Sequence, residues 1–313
     1  MVRDNAIKQV KIETNSRLHL GFMNINSSSP YSYGGLGVSI DNYPTVINIS
    51  KSNKFESNLP KQYTNKILNY INKAGLKKTV KINCTNKPNS HIGLGSGTQL
   101  ILSLEEGLSK FYNLDGKIDI FNRNFRSGVG FNAYKFGGFI IDSPKKELST
   151  SELIFKSKFP KNWKVIVLFD NTKRGLHGAS ENKFFTKSNT NSIRKYLSDI
   201  TLNELIPSII YKDFDIFAKS LTEFQKCNAS LYSSIQKSIY LSNDIAKIIK
   251  KVSSSFKVGC GQSSWGPTSY MFIDSKKDLK EILPILDKAI SMYNNLSYDV
   301  VSARNSGRKL TYT

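Results

Sequence analysis

The sequence has few of the residues that build metal centres and disulfide frameworks. Its 313 residues include three cysteines and three histidines, and the cysteines, Cys84, Cys227 and Cys260, lie far apart. Their spacing matches no zinc motif, and an odd number of widely separated cysteines is not a disulfide framework. We therefore predict small core or site-lining roles for them and no zinc site.

Long hydrophobic runs are also missing. No apolar stretch approaches the roughly 20 residues of a membrane-spanning helix. The first residues, Met1 to Asn5, lack the charged and then apolar pattern of a signal peptide. The sequence thus predicts a cytoplasmic protein without a membrane partner.

Acidic residues are outnumbered, with 24 Asp and Glu against 45 Lys and Arg, which gives a formal net charge of +21. Such a charge would attract a polyanionic substrate, and it is also typical of proteins that bind nucleic acid. The lysines are scattered, however, and no basic cluster alternates with aromatic residues, so we predict no nucleic-acid partner. Arginine is scarce, with 8 of the 45 basic residues, and Arg17, Arg123, Arg126 and Arg174 all lie within or beside the motifs described next.

Strands and helices intermix without a regular strand-helix-strand alternation, which favours the α+β class over a doubly wound sheet. Apolar spacing predicts helices at 62–73 and 98–111 and a mainly helical stretch at 180–254. The stretch from 24 to 37, rich in serine and glycine, is typical of turns. Composition shifts after Pro144, and we predict an N-terminal domain at 1–155 and a C-terminal domain at 156–313.

A glycine-rich loop follows a predicted strand and precedes a predicted helix. It reads Gly93-Leu94-Gly95-Ser96-Gly97-Thr98. Glycines allow a tight turn in which backbone N–H groups point at a ligand, and the start of a helix adds the positive end of its dipole. The loop is neither a Walker A motif nor the dinucleotide pattern, and alone it would indicate only a tight connection. With its companion motifs it predicts a site for a phosphorylated small molecule.

Two further segments accompany this loop. Ser16-Arg17-Leu18-His19-Leu20-Gly21 stands near the N-terminus, and Gly259-Cys260-Gly261-Gln262-Ser263-Ser264-Trp265-Gly266-Pro267-Thr268 stands near the C-terminus. In this order the three segments resemble the motifs of the GHMP kinase superfamily, which includes galactokinase, homoserine kinase and mevalonate kinase. The resemblance implies a GHMP-kinase fold, with an N-terminal domain like domain 2 of ribosomal protein S5, a ferredoxin-like C-terminal domain, and a homodimer.

The resemblance is incomplete at one catalytic position. Many of these kinases carry Ser-Gly-x-Asp, in which the Asp acts as catalytic base, followed after a helix by Gly-Gly. This sequence has Ser127-Gly128-Val129-Gly130 and then Gly137-Gly138. Glycine cannot accept a proton, so the departure argues against a kinase.

The sequence also has a narrower resemblance, to one branch of the superfamily. The strings at 93–100, 126–130 and 175–178, and above all Gln262-Ser263-Ser264-Trp265-Gly266-Pro267-Thr268, are similar to those of the β-ribofuranosylaminobenzene 5′-phosphate synthase family, a branch of the superfamily in archaeal methanopterin biosynthesis. The resemblance implies a pentosyltransferase that joins phosphoribosyl pyrophosphate to 4-aminobenzoate or 4-hydroxybenzoate and releases CO2 and pyrophosphate. It implies Mg²⁺ as cofactor, and neither ATP nor NAD.

The motifs and the resemblance together give the candidate site residues. Arg17, His19 and Arg126 are the catalytic candidates, and Ser96 is the candidate Mg²⁺ ligand. The predicted substrate-binding residues are Gly93, Leu94, Gly95, Ser96, Gly97, Thr98, Ser127, His177, Gln262, Ser263, Ser264 and Trp265. Arg17 and His19 alternate along a predicted strand, so we expect their side chains on one face.

Some of these residue types have structural alternatives. Ser96 would also suit a helix N-cap, and Trp265 a core position. His19 and His177 would also suit purely structural roles. Asp142 ends an apolar strand, and for it we predict turn capping and not metal binding.

Two other functions stay open at this point. A GHMP-type kinase would use ATP on the same loop, and ATP turnover with small alcohols would reveal it. A nucleic-acid-binding protein would exploit the charge of +21, and salt-dependent binding to nucleic acid would reveal it.

Overall fold

The computed structural model describes residues 7–24, 30–89, 92–116, 118–122, 127–146, 149–175, 191–230, 236, 238–264 and 266–313. Within these residues the strands are β1 (Gln9–Asn24), β2 (Ser32–Lys51), β3 (Glu56–Ser57), β4 (Val80–Asn86), β5 (Phe139–Asp142), β6 (Pro144–Lys145), β7 (Leu153–Ser157), β8 (Trp163–Asp170), β9 (Gly259–Gln262), β10 (Ser269–Asp274), β11 (Leu296–Ser302) and β12 (Lys309–Tyr312). The α-helices in the same ranges are α1 (Lys61–Lys73), α2 (Ser96–Phe111), α3 (Val129–Phe136), α4 (Asn191–Ile200), α5 (Ile206–Tyr211), α6 (Phe214–Ser230), α7 (Asn243–Ser253) and α8 (Leu279–Ile290). A π-helical turn, Thr201–Leu205, joins α4 to α5. The predicted α+β class is confirmed.

The first sheet is built around the long hairpin of β1 and β2. Its strand order is β12-β1-β2-β4-β3, with β5 and β6 also paired to β2, and β7 paired to β5. Apolar side chains of β1, β2 and β4 pack with those of α1 and α2 in one core. Because β12 pairs with β1, the C-terminal end of the chain completes this sheet. The domain boundary at residue 155 stays a prediction.

The glycines of β2 do not form the predicted turn. The interpretation of 24–37 as turn-rich is wrong from Ser32 onward, since β2 runs over Ser32–Lys51. A Cβ on Gly37 would lie only 2.3 Å from Cγ1 of Val129, the first residue of α3. Glycine at this position therefore lets α3 lie against the sheet, and the sequence signal for a turn was a signal for close packing.

The second sheet has the order β11-β8-β10-β9, with all neighbours antiparallel. Along the chain its elements follow as β8, a helical segment, β9, β10, α8 and β11, which is the ferredoxin-like pattern. One face packs against α4 to α6 and the first sheet around Trp163 and Phe217, whose rings stack at 5.0 Å. The other face packs against α7 and α8. The predicted ferredoxin-like part of the GHMP-kinase fold is confirmed.

Candidate functional site

The glycine loop ends at the N-terminus of α2. Gly93 and Gly95 have φ angles of 95° and 77°, a region that favours glycine. Gly95 is the N-cap of this 16-residue helix, and Ser96 lies inside it with its hydroxyl donating to the Asn89 carbonyl at 3.4 Å. N-capping by Ser96 is therefore wrong. The amides of Ser96 and Gly97 meet no acceptor within the described residues, which leaves the positive end of α2 open to an anion.

Arg17 of β1 lies against this loop. Its amide donates to the Leu94 carbonyl at 3.1 Å, and its Nη1 donates to the Gly93 carbonyl at 2.9 Å. A Cβ on Gly95 would lie 3.0 Å from the guanidinium carbon, so Arg17 fills the space that Gly95 leaves. Guanidinium and helix dipole thus act at the same place. Leu94, in contrast, is 1 % exposed and belongs to the core, so only its backbone can face a ligand.

The segment after β9 packs directly on the glycine loop. Ser263 Oγ donates to the Gly93 carbonyl at 2.7 Å, and the Thr268 hydroxyl donates to the Ile92 carbonyl. A Cβ on Gly266 would lie 2.4 Å from the Gly93 Cα, and a Cβ on Gly93 would lie 2.7 Å from the Ser263 carbonyl oxygen. The two segments touch through backbone atoms, which is a structural reason for both glycines. Ser263 positions the loop through its hydroxyl.

His19 is buried beside the same segment. Its amide donates to Ser263 Oγ at 3.0 Å, and its carbonyl accepts from the Ser264 amide at 3.2 Å. The ring Nδ1 accepts from the Gly21 amide at 3.2 Å, which in a neutral imidazole places the proton on Nε2. The ring lies 4.6 Å from that of Phe22 and lines a cavity of about 30 Å³. This cavity can hold water but not a ribose.

Two amide side chains of α6 hold β1 and β9 together. Gln225 donates to a β1 carbonyl and accepts from the Gln262 amide at 3.1 Å, and Asn228 donates to a second β1 carbonyl. Gln262 accepts from the Leu241 amide at 2.6 Å and donates to the Ser264 carbonyl at 3.2 Å. Neither Gln225 nor Asn228 is among the residues predicted from the sequence. Their signal was a pair of polar residues, three apart, on an otherwise apolar helix face.

Asp142 ties two glycine segments together. Its Oδ1 accepts from the Gly35 amide at 2.9 Å, and its Oδ2 accepts from the Gly128 amide at 2.5 Å. The Ser127 hydroxyl lies 3.4 Å from Oδ1 and accepts from the Val129 amide at 3.0 Å. Burial raises the pKa of Asp142 to about 6, although the amide donors oppose the shift. The turn capping predicted for Asp142 is wrong, since its carboxylate joins β2 to the residue before α3. Gly128 is the N-cap of α3, and the Ser127 hydroxyl accepts from the first amide of that helix.

Gly130 of α3 faces the first turn of α2. A Cβ on Gly130 would lie 2.9 Å from the Thr98 methyl carbon, and the Gly130 carbonyl accepts from Gln99 Nε2 at 2.9 Å. The Thr98 methyl therefore occupies the space that a side chain at position 130 would need. A carboxylate could not be placed there without moving Thr98.

An open cavity of about 540 Å³ lies beside the loop. Its lining includes Lys87, Arg174 and the edges of both glycine-containing segments. Its two carboxylates, Asp170 and Asp299, already accept hydrogen bonds from neighbouring side chains. The volume suits a sugar phosphate, and Lys87 and Arg174 are the groups in the described lining that could bind its phosphate, although the two carboxylates match them in number.

Arg126, His177 and Trp265, three of the predicted site residues, lie outside the described residues. Within the described ranges, no group of three or more His, Cys, Asp or Glu side chains could hold a metal ion. None of the helices in those ranges combines the length and hydropathy needed to span a membrane.

Solved structures with this fold include GHMP kinases and their relatives. Mevalonate diphosphate decarboxylase from Staphylococcus aureus superposes with a TM-score of 0.68 and 12% identity, over 97% of this chain and 98% of that one. Homoserine kinase from Cytophaga hutchinsonii superposes with a TM-score of 0.65 and 14% identity, over 99% of this chain and 100% of that one. The predicted GHMP-kinase fold is confirmed.

Curated sequences give a narrower likeness. Beta-ribofuranosylphenol 5′-phosphate synthase from Methanocaldococcus jannaschii is 26% identical over 344 residues, covering 96% of this chain and 99% of the relative. The enzyme of that name from Methanothermobacter thermautotrophicus is 26% identical over 85% of this chain and 89% of its own length. No protein-family model matches the chain. The resemblance to this group of synthases that the motifs predict is confirmed over most of the chain.

Proposed function

We propose that this protein is a pentosyltransferase of methanopterin biosynthesis. It joins C1 of phosphoribosyl pyrophosphate to the ring of a 4-substituted benzoate and releases CO2 and pyrophosphate. The relatives are named for a phenol product, which corresponds to 4-hydroxybenzoate as acceptor, with 4-aminobenzoate as the alternative. The observation that carries the proposal is the meeting of the Arg17 guanidinium with the open N-terminus of α2.

The pyrophosphate belongs at this meeting point. The amides of Ser96 and Gly97 and the guanidinium of Arg17 would neutralise the negative charge that grows on pyrophosphate as the C1–O bond breaks. The cavity beside the loop, with Lys87 and Arg174, is then the place for the 5′-phosphate. The two ends of the donor substrate are thereby held on opposite sides of the reacting carbon.

The chemistry needs no strong protein base. The ring carbon that carries the carboxylate attacks the electron-poor C1, driven by the para hydroxyl or amino group. A C–C bond forms and the C1–O bond breaks, with its electron pair leaving on pyrophosphate. The bond between the ring carbon and the carboxylate then breaks, and its electron pair restores aromaticity as CO2 departs. No proton has to be removed from the ring carbon, because that carbon carries the carboxylate and no hydrogen.

The surroundings of Gly130 support this choice over a kinase. A kinase of the superfamily's common type would place a carboxylate near the substrate hydroxyl, and here the Thr98 methyl fills that space. Asp142, the buried carboxylate nearby in sequence, is engaged by two backbone amides and a hydroxyl. Neither Gly130 nor Asp142 therefore supplies a general base, which fits a reaction that depends on substrate binding and charge neutralisation.

The neutral segment 262–264 is the proposed neighbour of the ring. Gln262, Ser263 and Ser264 carry no charge, so they would not hold the leaving carboxylate tightly. Trp265 as a stacking surface, His177 as a substrate contact and Arg126 as a second phosphate ligand stay predictions, as do the homodimer and the absence of a nucleic-acid partner.

Magnesium is proposed to accompany the pyrophosphate. Mg²⁺ prefers oxygen ligands and often binds through substrate phosphates with one or two protein groups. The hydroxyl of Ser96 stands at the N-terminus of α2 and is the protein oxygen we assign to it, which fits a metal carried mainly by the substrate. When bound, the ion would add positive charge to the leaving group.

The proposal is tested by supplying phosphoribosyl pyrophosphate with each benzoate, without ATP, and identifying products by mass spectrometry. We expect the C-riboside 5′-phosphate with 4-hydroxybenzoate. The control supplies ATP with a panel of small alcohols and no phosphoribosyl pyrophosphate. Stoichiometric ADP in that control, with no C-riboside in the first reaction, would restore the kinase.

A further inference from the structure

An apolar groove of about 410 Å³ lies at the far end of β1. Its walls come from β1, from the residues around β5 to β7, and from the helical stretch 194–206. Three of its side chains are large and apolar yet well exposed: Tyr31, Ile154 and Leu202, at 48%, 56% and 61%. Exposed apolar residues gathered around one concavity are typical of a binding surface, whereas isolated ones are not.

Among the described residues of this mainly apolar lining, one carries a positive charge. Arg194 is half-buried in the groove wall, and none of the described lining residues is acidic. It has no ion pair or hydrogen-bond partner within the described part of the chain. A guanidinium that lies beside apolar side chains, with no acidic side chain near it, favours a ligand that carries a carboxylate. The planar N–H donors of the guanidinium match the two oxygens of the carboxylate.

The groove also contains a buried acceptor without a donor. Asn24 is 4% exposed, and its Nδ2 donates to the Tyr31 carbonyl. Its Oδ1 is buried and has no hydrogen-bond partner in the described residues. A buried polar atom left without a partner is costly, so a ligand whose N–H or O–H meets Asn24 Oδ1 after a small rotation of that side chain gains affinity there.

The backbone of the groove wall is irregular at this place. Thr201 and Leu202 begin the π-helical turn Thr201–Leu205. Such turns are rare, and they are frequent at functional sites. Here the turn presents Leu202 to the groove mouth and keeps Thr201 buried, with its hydroxyl donating to the Leu197 carbonyl at 2.7 Å.

The groove is separate from the glycine loop. Met23, which lines it, follows Arg17 by six residues along β1, a span of about 20 Å in an extended strand. None of the described residues that line the groove also lines the cavity beside the loop. A ligand in the groove therefore does not touch Arg17 or Gly95.

We propose that this groove is a second binding site, for a small aromatic carboxylic acid with a hydrogen-bond donor on its ring. The carboxylate pairs with Arg194, the ring lies among Met23, Tyr31 and Leu202, and the donor reaches Asn24 Oδ1. A fatty acid would satisfy Arg194 and the apolar walls but would leave Asn24 without a donor. The site does not depend on the proposed reaction at the glycine loop.

The test measures occupancy at the groove itself. In a Leu202→Cys protein, iodoacetamide labels position 202, and the labelled peptide is quantified by mass spectrometry with and without 4-hydroxybenzoate. No phosphoribosyl pyrophosphate is present, so the outcome is independent of turnover. We expect the acid to slow labelling about fivefold or more at saturation, and benzoate, which lacks the donor, to bind about tenfold more weakly.

Two further substitutions in that protein locate the carboxylate. Arg194→Gln should abolish the protection, and Lys195→Gln, which removes the same charge from the exposed neighbour on α4, should keep it. Circular dichroism checks that each variant is folded. Absence of protection in the parent, equal protection after Arg194→Gln, or tighter binding of benzoate or decanoate than of 4-hydroxybenzoate would overturn the assignment.

Discussion

The glycine loop meets its neighbours in two different ways. Gly93 and Gly266 approach each other through backbone atoms, with only 2.4 Å between the Gly93 Cα and the place of a Cβ on Gly266. Gly95 and Gly130, at the two ends of the same site, face side chains instead, at 3.0 Å from Arg17 and 2.9 Å from Thr98. The first contact joins the loop to the second sheet, and the second kind of contact surrounds the proposed anion.

This difference determines which substitutions of glycine each contact can tolerate. Backbone atoms cannot change rotamer, so any side chain at Gly266 has to push the two segments apart. A side chain at Gly130 meets a methyl group that a smaller residue would remove. The backbone contact therefore fixes the fold, and the side-chain contacts are where relatives with the same fold can differ in chemistry.

The largest effect is expected from Gly266→Ala. Its Cβ would collide with the Gly93 backbone, and we expect a loss of about 3 kcal/mol or more in the free energy of unfolding, measured by urea denaturation. Gly75→Ala is the control. Gly75 has φ of 63° but nothing within 4 Å of its Cβ position, so only backbone strain of roughly 1 kcal/mol applies. Equal losses in the two variants would contradict the close packing.

Asp142 makes a third kind of contact, in which a side-chain carboxylate accepts from backbone amides. Because a carboxylate titrates, this contact should make the stability of the protein depend on pH. Its pKa is raised from 3.8 to about 6 by burial, so its contribution to stability is present below about pH 4 and is lost as pH rises through 6. The shift corresponds to about 3 kcal/mol. We expect wild type to lose that much stability relative to Asp142→Asn between pH 4 and 7, in urea denaturation. The exposed Asp115→Asn is the control, and parallel curves for wild type and Asp142→Asn would contradict the buried assignment.

Arg17→Lys probes the contact at Gly95. Lysine keeps the charge but loses the planar fork that reaches the Gly93 carbonyl and would face the proposed anion. We expect phosphoribosyl pyrophosphate to bind roughly 10-fold to 100-fold more weakly, from a loss of about 1.5–3 kcal/mol, while the affinity for the benzoate stays within about twofold. Calorimetry measures both. Weakened benzoate binding alone would move Arg17 from the pyrophosphate to the ring.

The smallest effect, and the sharpest test of the side-chain contact, comes from a double-mutant cycle at Gly130 and Thr98. Gly130→Ala alone should cost about 1–2 kcal/mol, because its Cβ meets the Thr98 methyl carbon at 2.9 Å. In a Thr98→Ser background that methyl is gone and the next atom is 3.5 Å away, so most of the cost should vanish. Additive costs would show that something other than Thr98 closes the space.

The sequence predicted the parts of the site that depend on local backbone chemistry. The glycine loop and the helix behind it follow from residue types whose conformations are known in advance, and Arg17 was a candidate because arginine is scarce and stands in a companion motif. The contacts that depend on distant partners could not be predicted. Neither the close packing of Gly37 against Val129 nor the hydrogen bonds from Gln225 and Asn228 to β1 can be predicted from one segment, because each partner lies far along the chain.

Leu94 and Ser96 show the same limit at single positions. The motif made Leu94 a candidate ligand contact, yet its side chain is in the core, and it suited Ser96 to an N-cap, yet Ser96 is one residue past the N-cap. Loop composition indicates that a backbone turns, and it does not decide which side chains turn inward. Only the packing of β1 and the segment after β9 against the loop determines that.

The fate of the acceptor's carboxylate tests the proposed reaction most directly. 4-Hydroxybenzoate labelled with ¹⁴C in the carboxyl group is incubated with phosphoribosyl pyrophosphate and Mg²⁺, and labelled CO2, pyrophosphate and the C-riboside are counted. Attack by the carboxylate-bearing ring carbon requires one CO2 and one pyrophosphate for each C-riboside formed. Label retained in a ribosylated product, or pyrophosphate released without CO2, would contradict it.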